Sequence, residues 1–301
     1  MTYSIVARDP RTGELGVAVQ SHWFAAGGTV PWAEAGVGAV ATQAFLEMSY
    51  GPRGLDLLRA GATAQQTLDR LTADDADADV RQVGIVDANG NVATHTGART
   101  IPAAGHAVGE AFTCQANMMW QDTVWGAMAT AYTASEGDLA TRLLAALDAA
   151  EGERGDIRGR QAAGILIVGP ERLGEPWRGV RMHLHADDHG DPNDELRRLI
   201  DVHRAYEHLE RSEELELQHD AEGVRREREA ALAAGPDLLE VKYWAAIGMA
   251  SEGHYDEAEA LMASVDEAGP GWRELLRRLV AGELIHIPPE AAARLLGERP
   301  G

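Results

Sequence analysis

Thr2 is the residue of this 301-residue sequence best placed to act as a nucleophile. Once Met1 is removed, a threonine there carries a hydroxyl and a free α-amine on one residue. An α-amine titrates at about 7.7–8.0, so near pH 7 a neutral fraction can take the hydroxyl proton without a histidine. The small side chain of Thr2 permits removal of Met1 by the ordinary processing aminopeptidase. Such chemistry needs an anchored terminus, because a frayed end cannot hold a hydroxyl in reacting geometry. The run TYSIVAR from Thr2 reads as a strand, which meets that need; a β-branched residue opening a strand is also the plain structural reading of Thr2.

Other polar side chains stand at the ends of short apolar runs. Ser21 and His22 close a second run, LGVAVQS, whose end a hairpin would bring beside Thr2. His22 suits a proton carrier or an ordinary surface position. Thr42 and Gln43 close a third run, GVGAVATQA, and Asn117 lies in QANM at the end of a later one. Amides suit donor roles because they do not titrate. Otherwise Gln43 reads as an outward-facing polar residue and Asn117 as a strand-to-helix cap. Asp156 and Arg158, between Gly155 and Gly159, suggest a tight turn that holds a carboxylate and a guanidinium near the end of a sheet. The same pair reads as an exposed ion pair that stabilises a connection. His22, Trp32, His106 and Gln161 are the candidate substrate contacts, offering imidazole, indole and amide groups from connecting segments.

His183 and His185 project from one face of a strand, with Asp187, Asp188, His189 and Asp191 just after them. A nitrogen-oxygen metal site is sterically possible there. The favoured reading makes Asp191 a helix cap and the histidines edge-strand residues, so neither metal nor cofactor is assigned. Cys114, alone in mid-strand, reads as small core filler.

The elements that must hold these groups follow from periodicity. Strands are expected near 2–8, 15–22 and 37–44, the first two joined through Asp9-Pro10-Arg11-Thr12-Gly13. Between them, 23–36 reads as a glycine- and proline-broken link. Helices are expected over about 51–60 and 63–71, with Thr63 as an N-cap. QVGIVD and VATHTG flank Asn89-Gly90, a strong hairpin signal. Residues 108–118 read as one strand, 122–150 as a long helical stretch, and AAGILIVG and 179–187 as further strands. Strands and helices that segregate in this way argue for sheets packed on each other and covered by helices, not for alternating βαβ units.

After Asp187 everything reads as helix, beginning at Asp191-Pro192. The charged stretch 207–231 suits a solvent-exposed helix or a linker. From Leu238, the order Trp244, Gly248, Gly253, Tyr255, Ala258, Met262, Pro270 resembles one tetratricopeptide hairpin. One such unit cannot bury both faces, so it must pack on the helix at 271–281, on the main domain or on another copy.

Composition bounds the partners. With 48 Asp and Glu against 27 Lys and Arg, the net charge of -21 argues against nucleic-acid and anionic-membrane binding. A lone cysteine excludes an internal disulfide and a thiolate metal site. With neither a signal segment nor a long apolar span, a cytoplasmic protein is expected.

The opening segment TYSIVARDPRTGELGVAVQSHWFAAGGTVPWAEAGVGAVATQA resembles the bacterial family catalogued as domain of unknown function 1028, placed in the N-terminal-nucleophile (Ntn) hydrolase superfamily. THTG at 94–97, QANM at 115–118, GDIRGRQAAG at 155–164 and DDHGDPNDELRRL at 187–199 carry the same resemblance, which covers roughly 2–208. It implies an α+β fold, a four-layer αββα sandwich over 1–208, followed by a small all-α domain over 209–301 of the kind labelled peptidoglycan-binding in some members. It further implies that Thr2 is the nucleophile and that backbone N–H groups of Thr42 to Ala44, with Asn117, meet the oxyanion. The loop of Asp156 and Arg158 would border them. Ser21 stands where the superfamily usually has a carboxylate that tunes the amine, a departure that leaves the tuning open. The expected activity is hydrolysis of an amide bond in a small molecule or short peptide, by a homodimer. The alternative is a non-catalytic Ntn-fold module that binds a peptidoglycan-like, peptide or protein partner.

Overall fold

The computed structural model describes residues 2–298. The chain forms two compact units that divide between Ile200 and Asp201, inside helix α5 (Pro192–Leu217), as does the boundary expected at 208/209. The first unit is mixed α and β with antiparallel sheets; the second is all helical.

Ten strands build the first unit: β1 (Thr2–Arg8), β2 (Leu15–Ser21), β3 (Pro31–Glu34), β4 (Gly38–Ala44), β5 (Arg81–Asp87), β6 (Val92–Thr96), β7 (Gly105–Gly109), β8 (Phe112–Asn117), β9 (Ala162–Val168) and β10 (Val180–Ala186). They form a six-stranded sheet, β10-β9-β2-β1-β8-β7, and a four-stranded sheet, β3-β4-β5-β6. β1 is therefore interior, paired on one side with β2 and on the other with β8.

The period of two along a strand sorts the side chains. Val6 of β1, Val17 and Val19 of β2, Ala39 and Ala41 of β4, and Val86 of β5 meet in one core shared by both sheets. Tyr3 and Ile5 point the other way, onto α3 (Val124–Ala134) and α4 (Leu139–Gly152) through Met128, Leu143 and Leu147. Val40, Val83 and Ile85 turn toward α1 (Tyr50–Arg59) and α2 (Ala64–Ala73), where Leu55, Leu68 and Leu71 cover them. Thr63 caps α2 reciprocally: its hydroxyl accepts from the Gln66 N–H at 3.2 Å while Gln66 Oε1 accepts from the Thr63 N–H at 3.0 Å.

Three expectations are corrected. β3 lies inside the segment read as a link; it opens on Pro31 and runs along a sheet edge, where proline costs no ladder bond. Residues 108–118 are not one strand but the β7–β8 hairpin, turned at Ala111 with φ 59°. The long helical stretch breaks at 135–138, where Gly137 takes φ 102° and Asp138 caps α4 by accepting the Thr141 N–H at 2.8 Å.

In the second unit the charged stretch is helix: the end of α5 and most of α6 (Ala221–Ala234). α7 (Leu239–Ser251) and α8 (Tyr255–Asp266) form the expected hairpin, with Tyr243, Ile247, Met262 and Val265 in its core. Leu276 of α9 (Gly271–Ala281) and Leu295 of α10 (Pro289–Leu296) join that core, so α9 is the helix at 271–281 on which it packs. No helix among the described residues is long and apolar enough to cross a membrane.

Candidate active site

The shared face of the two sheets changes character along its length. Toward the Thr2 end the aliphatic residues give way to Thr2 and Ser4 of β1, Ser21 of β2, Gln43 of β4, Gln82 of β5, and Gln115 and Asn117 of β8, all buried. Register brings them to one height, since Thr2 lies opposite Ser21 on one side and Asn117 on the other. Both sheets contribute amides, so the polar groups satisfy one another across the gap.

Thr2 is 5% exposed, and its hydroxyl donates to Ser21 Oγ at 3.0 Å. Its carbonyl accepts from Gln43 Nε2 at 3.2 Å and from Asn117 Nδ2 at 3.3 Å. Both amides also donate to Gln82 Oε1, at 2.7 and 2.9 Å respectively. Gln82 in turn donates to Thr96 Oγ1 at 2.9 Å, to the Gly105 carbonyl at 3.1 Å and to the Ala116 carbonyl at 2.9 Å. Ser4 completes the set, donating to Gln43 Oε1 and accepting from Gln115 Nε2, each at 2.6 Å. Sequence reasoning missed Ser4 and Gln115 and, at the centre of the network, Gln82. Its only local signal was its place at the start of QVGIVD, where a glutamine on either face reads alike.

Thr2, Ser21, Gln43 and Asn117 form the polar floor of a cavity of about 330 Å³. Its walls are mainly apolar, with Val30, Ala44, Leu46 and Ile101, and Arg158 is the charged residue that lines it. Trp23 and Phe45 also line it and are 64% and 54% exposed, which makes the mouth aromatic. Thr42, a candidate catalytic residue, does not line the cavity: alternation turns its side chain to the opposite face of β4 from Gln43, where its hydroxyl donates to the Glu47 carbonyl at 3.1 Å, while its N–H donates to the Val30 carbonyl at 3.2 Å. Alternation along an antiparallel strand points the Ala44 N–H to the same side as that of Thr42. There the neighbouring chain has already turned into the short helix Ala26–Gly28, so the Ala44 N–H faces the cavity that Ala44 lines.

Asp156 is 1% exposed and sits at the β2 end. Its Oδ1 accepts from the Arg158 N–H at 2.9 Å and Nε at 3.1 Å; its Oδ2 accepts from Arg158 Nη2 at 2.8 Å and the His22 N–H at 3.3 Å. The tight turn is held against the segment that follows β8, since the Ile157 N–H donates to the Met118 carbonyl at 3.3 Å and the Trp120 N–H to the Gly155 carbonyl at 3.0 Å. A buried carboxylate that carries a forked guanidinium fixes where Arg158 meets the cavity.

The candidate substrate contacts are dispersed. None of His22, Trp32, His106 and Gln161 is among the residues lining this cavity. Trp32 donates to the Thr29 carbonyl at 3.0 Å and packs with the α1 and α2 core. His106 meets Thr96 Oγ1 at 2.9 Å; burial lowers its imidazole pKa, and His95 nearby adds to the effect. His22 Nδ1 lies 3.1 Å from the Arg160 carbonyl, and Gln161 donates to Asp188 Oδ1 at 3.1 Å. Met1, whose removal is expected, lies outside the described residues.

His183 and His185 bring their Nε2 atoms within 2.9 Å of each other, and Asp187 lies 3.8 Å from the other ring nitrogen of His185. Burial, and then His185, lowers the His183 pKa. Among the described residues no three His, Cys, Asp or Glu gather closely enough to hold a metal ion.

Residues 2–196 match the family described as "Family of unknown function (DUF1028)". Among solved structures, the chain is similar to the crystal structure of SPO2555 from Silicibacter pomeroyi, a DUF1028 protein. The two share 32% identity at a TM-score of 0.60, over 66% of this chain and 87% of that one. No curated protein matches the chain. The family match over residues 2–196, together with this likeness at 32% identity, makes this chain a member of the DUF1028 family.

Proposed function

We propose that the chain is an N-terminal-nucleophile amidohydrolase acting on a small molecule or short peptide, with the four-layer αββα arrangement of that superfamily. The observation that carries this reading is the position of Thr2: buried, held through its carbonyl by two amides, and presenting its hydroxyl on the floor of a cavity. Thr2 Oγ1 attacks the amide carbonyl carbon, and its proton passes to the α-amine of Thr2 and from there to the departing amine. Water then cleaves the acyl-threonine ester and restores the hydroxyl. The Ala44 N–H is the first donor assigned to the oxyanion. Asn117 could take that role only by releasing Thr2 or Gln82, so it acts chiefly by holding Thr2. Ser21 accepts from the Thr2 hydroxyl and orients it. Asp156 positions Arg158 at the cavity wall. Homodimerisation and a cytoplasmic location belong to the same proposal.

Intact-mass measurement of the native protein, followed by assay of Thr2→Ala and Thr2→Ser against a panel of simple amides, tests it. Loss of Met1, with activity abolished in Thr2→Ala and retained in part by Thr2→Ser, is expected. Retention of Met1 in protein that hydrolyses amides would overturn the mechanism. Retention in protein that hydrolyses none would favour the binding module.

A further inference from the structure

The turn that carries Arg158 has a defined place relative to Thr2. Ser21 of β2 and Asn117 of β8 lie opposite Thr2 on either side. One residue beyond each, the His22 N–H donates to Asp156 Oδ2 at 3.3 Å, and the Met118 carbonyl accepts from the Ile157 N–H at 3.3 Å. Met119 and Asp156 then form an antiparallel bridge. Because β1 begins at Thr2, the turn bridges the ends of β2 and β8 on the amine side of that residue, one or two strand steps (about 3–7 Å) ahead of it.

Charge here is ordered by depth. The Asp156 side chain is fully buried and does not line the cavity, whereas the Arg158 side chain is 25% exposed and does. Asp156 takes one edge of the guanidinium, through Nε at 3.1 Å and Nη2 at 2.8 Å. A guanidinium is planar and its donors are fixed in direction, so the edge formed by Nη1 and Nη2 points away from that carboxylate. In a chain of net charge -21, the charged side chain turned toward this cavity is thus a cation. The rest of the wall suits apolar groups, with Val30, Leu46 and Ile101 inside and Trp23 and Phe45 at the mouth.

Position decides which half of an amide meets Arg158. In the mechanism proposed above, the α-amine of Thr2 protonates the departing nitrogen. That nitrogen and its substituent therefore lie on the amine side of Thr2, where Arg158 stands. The acyl half is left to the apolar wall, beside the Ala44 N–H assigned to its oxygen. Resting on that reading of Thr2, we infer that the substrate is an N-acyl amino acid, its carboxylate held by Arg158 and its acyl group packed on Val30, Leu46, Trp23 and Phe45. Hydrolysis breaks the acyl C–N bond, passes the acyl group to Thr2 Oγ1 and the hydroxyl proton to nitrogen, and with one water yields a carboxylic acid and a free amino acid. Capture of the carboxylate by a guanidinium already oriented by Asp156 makes Arg158 the residue that determines specificity.

N-benzoylglycine and its neutral carboxamide, which differ only in the carboxylate, test the assignment in two assays. In turnover by the native chain, kcat/KM should be at least about tenfold higher for N-benzoylglycine, mainly through a lower KM. Arg158→Met should reduce that preference to within about threefold, and Arg158→Lys should restore part of it, with circular dichroism confirming that each variant is folded. In calorimetry with Thr2→Ala, which needs no chemistry, N-benzoylglycine should bind at least about tenfold tighter than the carboxamide. If the native chain hydrolyses neither compound while Thr2→Ala keeps that binding preference, the carboxylate site stands and the nucleophile reading falls. Equal turnover of the two compounds would overturn the carboxylate assignment and leave the nucleophile reading intact. So would faster turnover of N-phenylsuccinamic acid, whose carboxylate lies on the acyl half, than of N-benzoylglycine. Binding of neither compound would overturn the assignment as well. The native-chain comparison decides the matter even if an Arg158 variant fails to fold.

Discussion

Gln43 on β4 donates a hydrogen bond to the carbonyl of Thr2 on β1 across 3.2 Å, so the residue assigned as nucleophile is held by the sheet opposite its own. The consequences can be measured without knowing a substrate.

Gln82→Leu should destabilise the first unit by at least about 2 kcal/mol, given roughly 1–3 kcal/mol for each buried polar group left without a partner. The carbonyls of Gly105 and Ala116 would lose their donor, and the Gln43 and Asn117 amides their shared acceptor. Urea unfolding reads the loss. An unchanged midpoint would mean that these amides contribute nothing to holding the sheets together.

Gly84 of β5 faces Gln115 of β8 across the gap between the sheets. A Cβ built there would lie 2.5 Å from Gln115 Oε1, with the Gln115 amide nitrogen and carbon also within 3 Å. Gly84→Ala should cost about 1–3 kcal/mol through overpacking. Combined with Gln115→Ala it should cost less than the sum of the two single changes, because the second substitution vacates the space that the first needs. Strict additivity in thermal unfolding would refute the contact.

Asp156→Asn removes the charge that carries Arg158 while leaving an acceptor for its backbone N–H. Hydrogen exchange over 155–159 should quicken at least several-fold, and exchange in β5 should be unaffected. Protection equal to that of the native chain would show that the turn holds itself.

Acid sensitivity has one local source on the other sheet. The Arg81 side chain, bonded to Asp75 at 2.8 Å, brings the Asp75 carboxyl down to about 2. The folded-state pKa is depressed, so the stabilisation is complete above the unfolded value of about 3.9 and is lost as pH falls from there to about 2. Arg81→Met should therefore lower stability at pH 7 and flatten its decline across that window. A decline of unchanged steepness in acid unfolding would count against the pair.

Much of this was legible in the sequence because local signals agreed with tertiary ones. Asn89-Gly90, the Thr63 cap and the 9–13 turn specify their elements without help, and the 2–8 and 15–22 runs are short and mostly apolar, as strands buried on both faces are. What escaped had a physical reason. β3 is four residues long and begins with proline, so edge pairing alone makes it a strand. Ala111 turns a hairpin without the glycine that would have announced it. In the site, Thr2, Ser21, Gln43 and Asn117 could be brought together by strand ends, and the 155–159 turn by its glycines. Trp32 and His106 could not be sorted because the short edge strands β3 and β7 that hold them read as connections, and Gln161 because a residue in a connection carries no period to say which way it faces. Gln82 was hidden for a related reason: its role depends on which sheet lies opposite, and that is a long-range fact.

Aliphatic packing has no preferred direction, so two sheets joined by it alone resist being pulled apart more than being slid. Amide bonds across the same gap do have direction, and they lie at one end only. Small rocking of the sheets should then pivot about the Thr2 end, leaving the hydroxyl nearly stationary while the Arg8 end takes up most of the amplitude.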